Sequence, residues 1–99
     1  MTIIKKYVEK MDDEICGAKE YAENYVEEKA KGNNILSAKY KSMAEDEIRH
    51  ANIIHDVATN KIAELSTVFQ PTQEMQDMWD KSHKDYVEQT AFIRQMLTM

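Results

Sequence analysis

The most constraining feature of this sequence is a short turn between two long helical patterns, at Lys31-Gly32-Asn33-Asn34. A glycine can take a positive φ after a helix, and an asparagine can cap the helix that follows. The rest of the chain offers few breakers, because its 99 residues contain two glycines and one proline. A connection this short makes successive helices antiparallel. The sequence therefore predicts a helical hairpin within an all-α fold.

The first predicted helix spans about residues 3–31, and one acid lies on its apolar face. Apolar side chains recur there mostly in steps of three and four, which is the helical signature: Met11, Ile15, Ala18, Ala22, Tyr25 and Val26. Glu14 falls among them on a helical wheel, whereas Glu20 and Glu27 fall on the outer face. A buried acid needs a partner, so Glu14 is a candidate ligand.

Glu47 and His50 lie on or beside the apolar stripe of the second predicted helix, which spans about residues 35–65. They are three residues apart, so both side chains can reach one metal ion. At about 1.5 Å per residue, Glu14 lies about 28 Å from the turn and the Glu47–His50 pair about 24 Å. This difference is less than one helical pitch. The three side chains are therefore predicted to face one another at one level.

The third predicted helix spans about residues 72–97 and follows a connector that ends at Pro71. Its apolar stripe is less regular, and we interpret it as an amphipathic helix that covers the hairpin or docks on another subunit. It contains no Glu-x-x-His motif. We therefore expect residues 1–99 to form a single domain that carries half of a di-metal site and completes it by pairing.

Pairing two hairpins about a two-fold axis would bring together two copies of Glu14, Glu47 and His50. Buried carboxylates without cations are costly or take up protons, and two divalent ions balance four negative charges. One Glu together with one Glu-x-x-His is half of the ligand set in carboxylate-bridged di-metal bundles. Imidazole mixed with carboxylate favours iron or manganese over calcium and magnesium, and structural zinc prefers Cys/His tetrahedra.

The composition argues against several other kinds of protein. A net charge of −5 opposes nucleic-acid binding, which needs a basic face. The single cysteine, Cys16, excludes an internal disulfide and fits a reducing compartment. No apolar run approaches the roughly 20 residues that span a bilayer, and the N-terminus lacks the apolar region of a signal peptide. We therefore expect a soluble, cytoplasmic protein.

The remaining candidate residues have weaker patterns. His55 lies at the edge of the apolar stripe and is expected to be structural. His83 follows Asp80 by three residues, but this shorter-armed motif has no second acid to pair with it. Cys16 lies away from the Glu14 stripe and is expected to be an exposed thiol.

Several positions of the predicted hairpin resemble the first helical hairpin of rubrerythrin, within the ferritin-like superfamily: Glu14, Tyr21, Gly32 and Met43-Ala-Glu-Asp-Glu-Ile-Arg-His-Ala51. The resemblance covers about residues 11–58 and implies a di-iron site. In that site Glu47 would bridge the metals or chelate one, His50 would bind terminally and Glu14 would take the remaining carboxylate role. Tyr21 would donate a hydrogen bond to a ligand carboxylate. The resemblance implies no catalytic residue beyond the ligands.

The chain departs from rubrerythrin because it has neither a second such hairpin nor the four cysteines of a rubredoxin module. It is therefore similar to the half-length, encapsulated-ferritin type, in which two chains build a four-helix bundle with the di-iron site at their interface. This similarity implies a homodimer or higher homo-oligomer with two iron ions per dimer, manganese or a mixed pair being the alternative. The implied activity is Fe(II) oxidation with O2 or H2O2, as a ferroxidase, in iron storage or in peroxide detoxification. An encapsulin-type shell is an implied partner, although residues 94–99 differ from the targeting tail of that group.

A second reading of the sequence is a non-catalytic helical interaction module that has lost, or never uses, the metal. This alternative predicts oligomers whose melting temperature does not respond to iron, manganese or zinc. Metal binding to the native state alone would raise that temperature.

Overall fold

A computed structural model describes residues 2–99 as three α-helices. They are α1 (Thr2–Ala30), α2 (Asn34–Leu65) and α3 (Gln73–Met96). Across residues 2–99 there is no β-strand, so the prediction of an all-α fold is confirmed. None of the three helices has the length and apolar character needed to cross a membrane.

The turn between α1 and α2 satisfies the backbone at both helix ends. Gly32 has a φ of 80°, and its N–H bonds the Lys29 carbonyl at 3.0 Å, while the Asn33 N–H bonds the Glu28 carbonyl at 3.0 Å. These two bonds form a Schellman motif, in which glycine is favoured at the left-handed position. The Asn33 side chain then accepts a hydrogen bond from the Leu36 N–H. The capped turn sends α2 back antiparallel to α1.

The core is built from one stripe of each helix. Small side chains of α1 and α2 face each other and let the two helices approach closely. Ile93 of α3 and Leu97, the residue after its last turn, join the same cluster, so α3 covers one side of the hairpin within its own chain. The buried apolar cluster comprises Met11, Ile15, Ala18, Ala22, Tyr25, Ala44, Ile48, Ala51, Ile93 and Leu97.

α3 lies on the side of the hairpin that is remote from the predicted ligands. Its N-terminus is capped by Thr72, and Tyr86 donates a hydrogen bond to the Asn52 side chain of α2. At about 100° per residue, Glu47 and His50 lie roughly opposite Asn52 around α2. α3 therefore leaves the Glu47 side of the hairpin uncovered.

The molecule is elongated, with extents of 55 × 18 × 17 Å and a radius of gyration of 16.0 Å. A compact domain of this length has a radius of gyration of about 13 Å. Large apolar side chains of α2 stay exposed on the uncovered side: Met43 by 40%, Ile53 by 52% and Val57 by 47%. Met43, His50 and Val57 follow one another every seven residues and so form one row along α2. We call Met43, Ile53 and Val57, with the Glu47 and His50 side chains between them, the open face.

Candidate metal centre

The three predicted ligands converge in the groove between α1 and α2. Glu14, Glu47 and His50 each offer one ligand atom, and these atoms lie within 4.8 Å of one another. Nδ1 of His50 is 3.5 Å from Oε2 of Glu14, so this contact joins α2 to α1. Metal–ligand bonds of about 2 Å span ligand atoms up to about 4 Å apart. Small side-chain rotations therefore suffice to bring all three groups onto one ion.

Helical periodicity explains why these side chains meet. Glu14 lies between the fully buried Met11 and Ala18 in sequence, so its carboxylate emerges at the edge of the α1–α2 contact. Glu47 and His50 project from one face of α2, three residues apart. The capped turn places the two helices at matching depth. The geometry of this group thus follows from two periodic stripes and one short connection.

The carboxylates of Glu14 and Glu47 repel each other when both are ionised and no cation is bound. The pKa of Glu47 is raised above its ordinary value, first by a hydrogen bond with the Glu14 carboxyl and then by desolvation. The negative charge of Glu14 raises this pKa further, while His50 lowers it. Two acids this close resist simultaneous ionisation. A divalent cation would pair with both, so the donor set fits a metal that accepts oxygen and imidazole ligands.

The raised pKa of Glu47 predicts a pH dependence of the metal-free protein. The folded chain holds this proton more tightly than the unfolded chain, so Glu47 favours folding most below an ordinary glutamate pKa of about 4.3. That contribution is lost as the pH rises through the raised pKa of Glu47. We expect Glu47→Gln to gain stability relative to wild type as the pH rises from about 4.5 through the raised pKa of Glu47, where wild type loses this contribution. Urea unfolding with a chelator, at one protein concentration, measures the difference; a constant difference across this range contradicts the shared proton.

Gly17 leaves the space in which the Glu47 side chain lies. A Cβ built on Gly17 is 3.4 Å from Oε2 of Glu47 and 3.6 Å from its Cδ. A mid-helix glycine costs about 1 kcal/mol relative to alanine. Sequence reasoning missed Gly17, although the available signal was a glycine within a long helix, three residues after a predicted ligand. The structure shows that α1 presents bare backbone to the site at this position.

Two substitutions at Gly17 distinguish its effect on helix stability from its effect on the space available to the Glu47 side chain. Gly17→Ala is expected to stabilise the metal-free protein by about 0.5–1 kcal/mol, because alanine favours a helix more than glycine does. Its Cβ would meet the Glu47 carboxylate at 3.4 Å, so it fits without displacing that side chain. Gly17→Leu displaces the Glu47 carboxylate, and we expect it to weaken metal binding at least about tenfold. Urea unfolding and Co²⁺ titration measure the two effects, with circular dichroism as the control for folding. Unchanged Co²⁺ affinity in Gly17→Leu would show that this space does not serve the site.

The site opens toward the uncovered side of the hairpin. The side chains of Glu14 and His50 are 28% and 43% exposed. Three side-chain ligands leave coordination positions free on an iron or manganese ion. The exposed sides of Glu14 and His50 lie beside the apolar residues of the open face.

Tyr21 lies on α1 two turns beyond Glu14 and is half-buried. Its ring stacks on Tyr40 of α2, with ring centroids 6.4 Å apart and planes inclined by 27°. This stack fills the α1–α2 groove on the turn-proximal side of the ligands. Donation of a hydrogen bond from Tyr21 to a ligand carboxylate stays a prediction.

The two other histidines, His55 and His83, come together outside this site. Nε2 of His55 on α2 is 3.0 Å from Nδ1 of His83 on α3. Sequence reasoning treated the two residues separately, because the periodicity of one helix carries no information about a neighbour on another. Cys16 is a free, exposed cysteine, in accord with the sequence-based expectation.

Comparison with known proteins yields no relative for this arrangement. No family model, no curated protein and no solved structure matches the chain. The function is therefore argued from the side chains themselves, two carboxylates and one imidazole held between antiparallel helices.

Proposed function

We propose that this protein is a di-metal carboxylate oxidoreductase that oxidises Fe(II) with O2 or H2O2, with a site completed by a second copy of the chain. The observation that carries the proposal is the convergence of Glu14, Glu47 and His50 at the edge of an uncovered apolar surface. A surface of this kind on an elongated hairpin is typical of a subunit interface.

The exposed apolar side chains of the open face favour the pairing of two chains. Fully burying one large apolar side chain is worth about 1.5–3 kcal/mol, and Met43, Ile53 and Val57, which are about half exposed, would each contribute about half of that value. A two-fold axis buries two copies of each. Two hairpins paired in this way form a four-helix bundle of the ferritin-like type. α3 does not obstruct this pairing, because it lies roughly opposite the ligands around α2.

The ligand count supports two metal ions per dimer. Two copies of the site supply four carboxylates and two imidazoles, and two divalent cations neutralise the four negative charges. Iron or manganese suits this mixture better than zinc, calcium or magnesium. Glu14, Glu47 and His50 of the two chains would hold the ions, and the ions would provide the redox chemistry.

The carboxylates would favour the oxidised product. Attraction between carboxylate and cation grows with the charge of the cation, so Glu14 and Glu47 stabilise Fe(III) more than Fe(II). Because the pKa of Glu47 is raised, a metal ion would compete with a proton for this carboxylate. With peroxide as oxidant, bound iron would supply two electrons and solvent two protons, which together reduce H2O2 to two waters. His50 contributes a neutral ligand and adds no charge.

Native mass measurement combined with metal analysis tests this proposal. Protein loaded with Fe(II) without oxygen, then exposed to O2 or H2O2, is expected to give a two-chain species with two irons and oxidation faster than in buffer. A monomer without bound iron, or a dimer that leaves the buffer rate unchanged, would overturn the proposal. A melting temperature that ignores iron, manganese and zinc would favour the non-catalytic interaction module.

A further inference from the structure

His55 and His83 form a pair at the contact between α2 and α3. Nε2 of His55 is 3.0 Å from Nδ1 of His83. The side chain of His55 is only 18% exposed, whereas His83 is exposed. The pair is formed by residues that are absent from the proposed iron site, and α3 lies on the other side of the hairpin.

The orientation of His55 is held from several sides. Its Nδ1 lies 3.1 Å from Oδ1 of Asp56, so the carboxylate accepts the Nδ1–H of His55. Its ring stacks on Tyr86, with centroids 4.6 Å apart and planes inclined by 8°, and on Trp79 at 6.0 Å. The Tyr86 hydroxyl in turn donates to the Asn52 side chain. His55 is thus a preoriented imidazole whose Nε2 lone pair points at His83.

A carboxylate that accepts the second N–H of an imidazole is the usual arrangement behind a metal-binding histidine, because it fixes the tautomer and raises ligand basicity. Asp56 stands in this relation to His55. His83 becomes a second ligand when its proton moves from Nδ1 to Nε2, which its exposure to solvent permits. Metal–nitrogen bonds of about 2.0–2.1 Å over the 3.0 Å gap subtend an angle of about 90° at the ion.

We propose that His55 and His83 form a second metal site, a two-imidazole chelate for a late first-row divalent ion, Cu²⁺ foremost, then Ni²⁺ or Zn²⁺. A site whose protein ligands are both imidazole nitrogens favours these ions over the harder Mn²⁺ and Mg²⁺, and the Irving–Williams order puts Cu²⁺ first. An angle near 90° fits neighbouring positions of a tetragonal Cu²⁺ or Ni²⁺ ion, with water in the remaining positions. The bound ion ties α3 to α2.

The experiment removes the competing ligands first. The chain has three histidines and one cysteine, so the full-length Cys16→Ser/His50→Ala protein keeps His55 and His83 as its only imidazoles. Calorimetric titration with Cu²⁺ in glycine buffer is expected to give one ion per chain. Adding His83→Gln is expected to weaken this binding by about 10²–10⁴-fold, because the second ligand no longer acts intramolecularly.

Pulsed electron paramagnetic resonance of the Cu²⁺ protein counts the bound imidazoles. Two imidazoles in the Cys16→Ser/His50→Ala protein, and one after His83→Gln or His55→Gln, support the site. One imidazole before either change, or equal Cu²⁺ affinity with and without His83, overturns it. Unchanged circular dichroism shows that each variant folds, and Lys84→Gln is the matched control on α3. A failure of this site leaves the proposed iron site untouched, because no residue is shared.

Discussion

Changing Glu47 to alanine is expected to abolish iron binding and to reduce Fe(II) oxidation to the rate in buffer. The substitution removes two of the four carboxylates in a dimer and leaves two negative charges for two divalent ions. It leaves the helices largely intact, because alanine is the strongest helix former and Glu47 is not in the buried core. Metal analysis, the absorbance of the Fe(III) product and circular dichroism measure the three effects.

Glu45→Ala is the matched control for this prediction. Glu45 lies two residues away on the same helix and is exposed, so its loss changes the net charge equally without touching the site. His50→Ala should behave like Glu47→Ala. Iron binding that survives in both Glu47→Ala and His50→Ala would mean that the metal is held elsewhere.

The double change Met43→Lys with Val57→Lys is expected to convert the dimer to monomers and, as a consequence, to remove the iron. Full burial of such a side chain is worth about 1.5–3 kcal/mol, and because Met43 and Val57 are already about half-buried, each loses about half of that value; four of them change per dimer. The dimer dissociation constant should therefore rise by at least about 100-fold. Neither residue belongs to the ligand group, but Met43→Lys puts a positive charge one turn from Glu47. Val57→Lys alone, two turns from His50, therefore serves to show that loss of metal follows from loss of the partner. Sedimentation velocity and metal analysis on the same sample measure both.

Val87→Lys on α3 is the control for surface charge, since Val87 is 51% exposed and lies on the helix that packs away from the ligands. It should remain dimeric and keep its iron. A double variant that stays dimeric would place the interface elsewhere on the molecule. A monomer that retains full iron would show that one chain alone can hold the ions.

The helical hairpin and the convergence of Glu14, Glu47 and His50 could be predicted from the sequence for the same reason. The angle of Glu14, Glu47 and His50 around their helices follows from the period of 3.6 residues, and their depth follows from the short turn at Gly32. Both quantities are local. The structure brings these three side chains together as that reasoning predicted.

The features that sequence reasoning missed depend on non-local geometry. His55 and His83 meet only because the connector between α2 and α3, residues 66–72, directs α3 back along the hairpin. No periodicity specifies the path of such a connector. The hydroxyl direction of Tyr21 is similarly set by its stack on Tyr40, which depends on how the two helices are rotated against each other.

The capped turn at Gly32 has a consequence for how the length of this chain can vary. One residue inserted between Glu14 and the turn would rotate Glu14 by about 100° and shift it by about 1.5 Å, away from its partners on α2. A residue inserted in the connector 66–72 would leave the ligands where they are, because loop closure costs little more for a longer loop. We therefore expect homologues of this protein to vary in length at the connector 66–72 and to keep the length of the turn at Gly32.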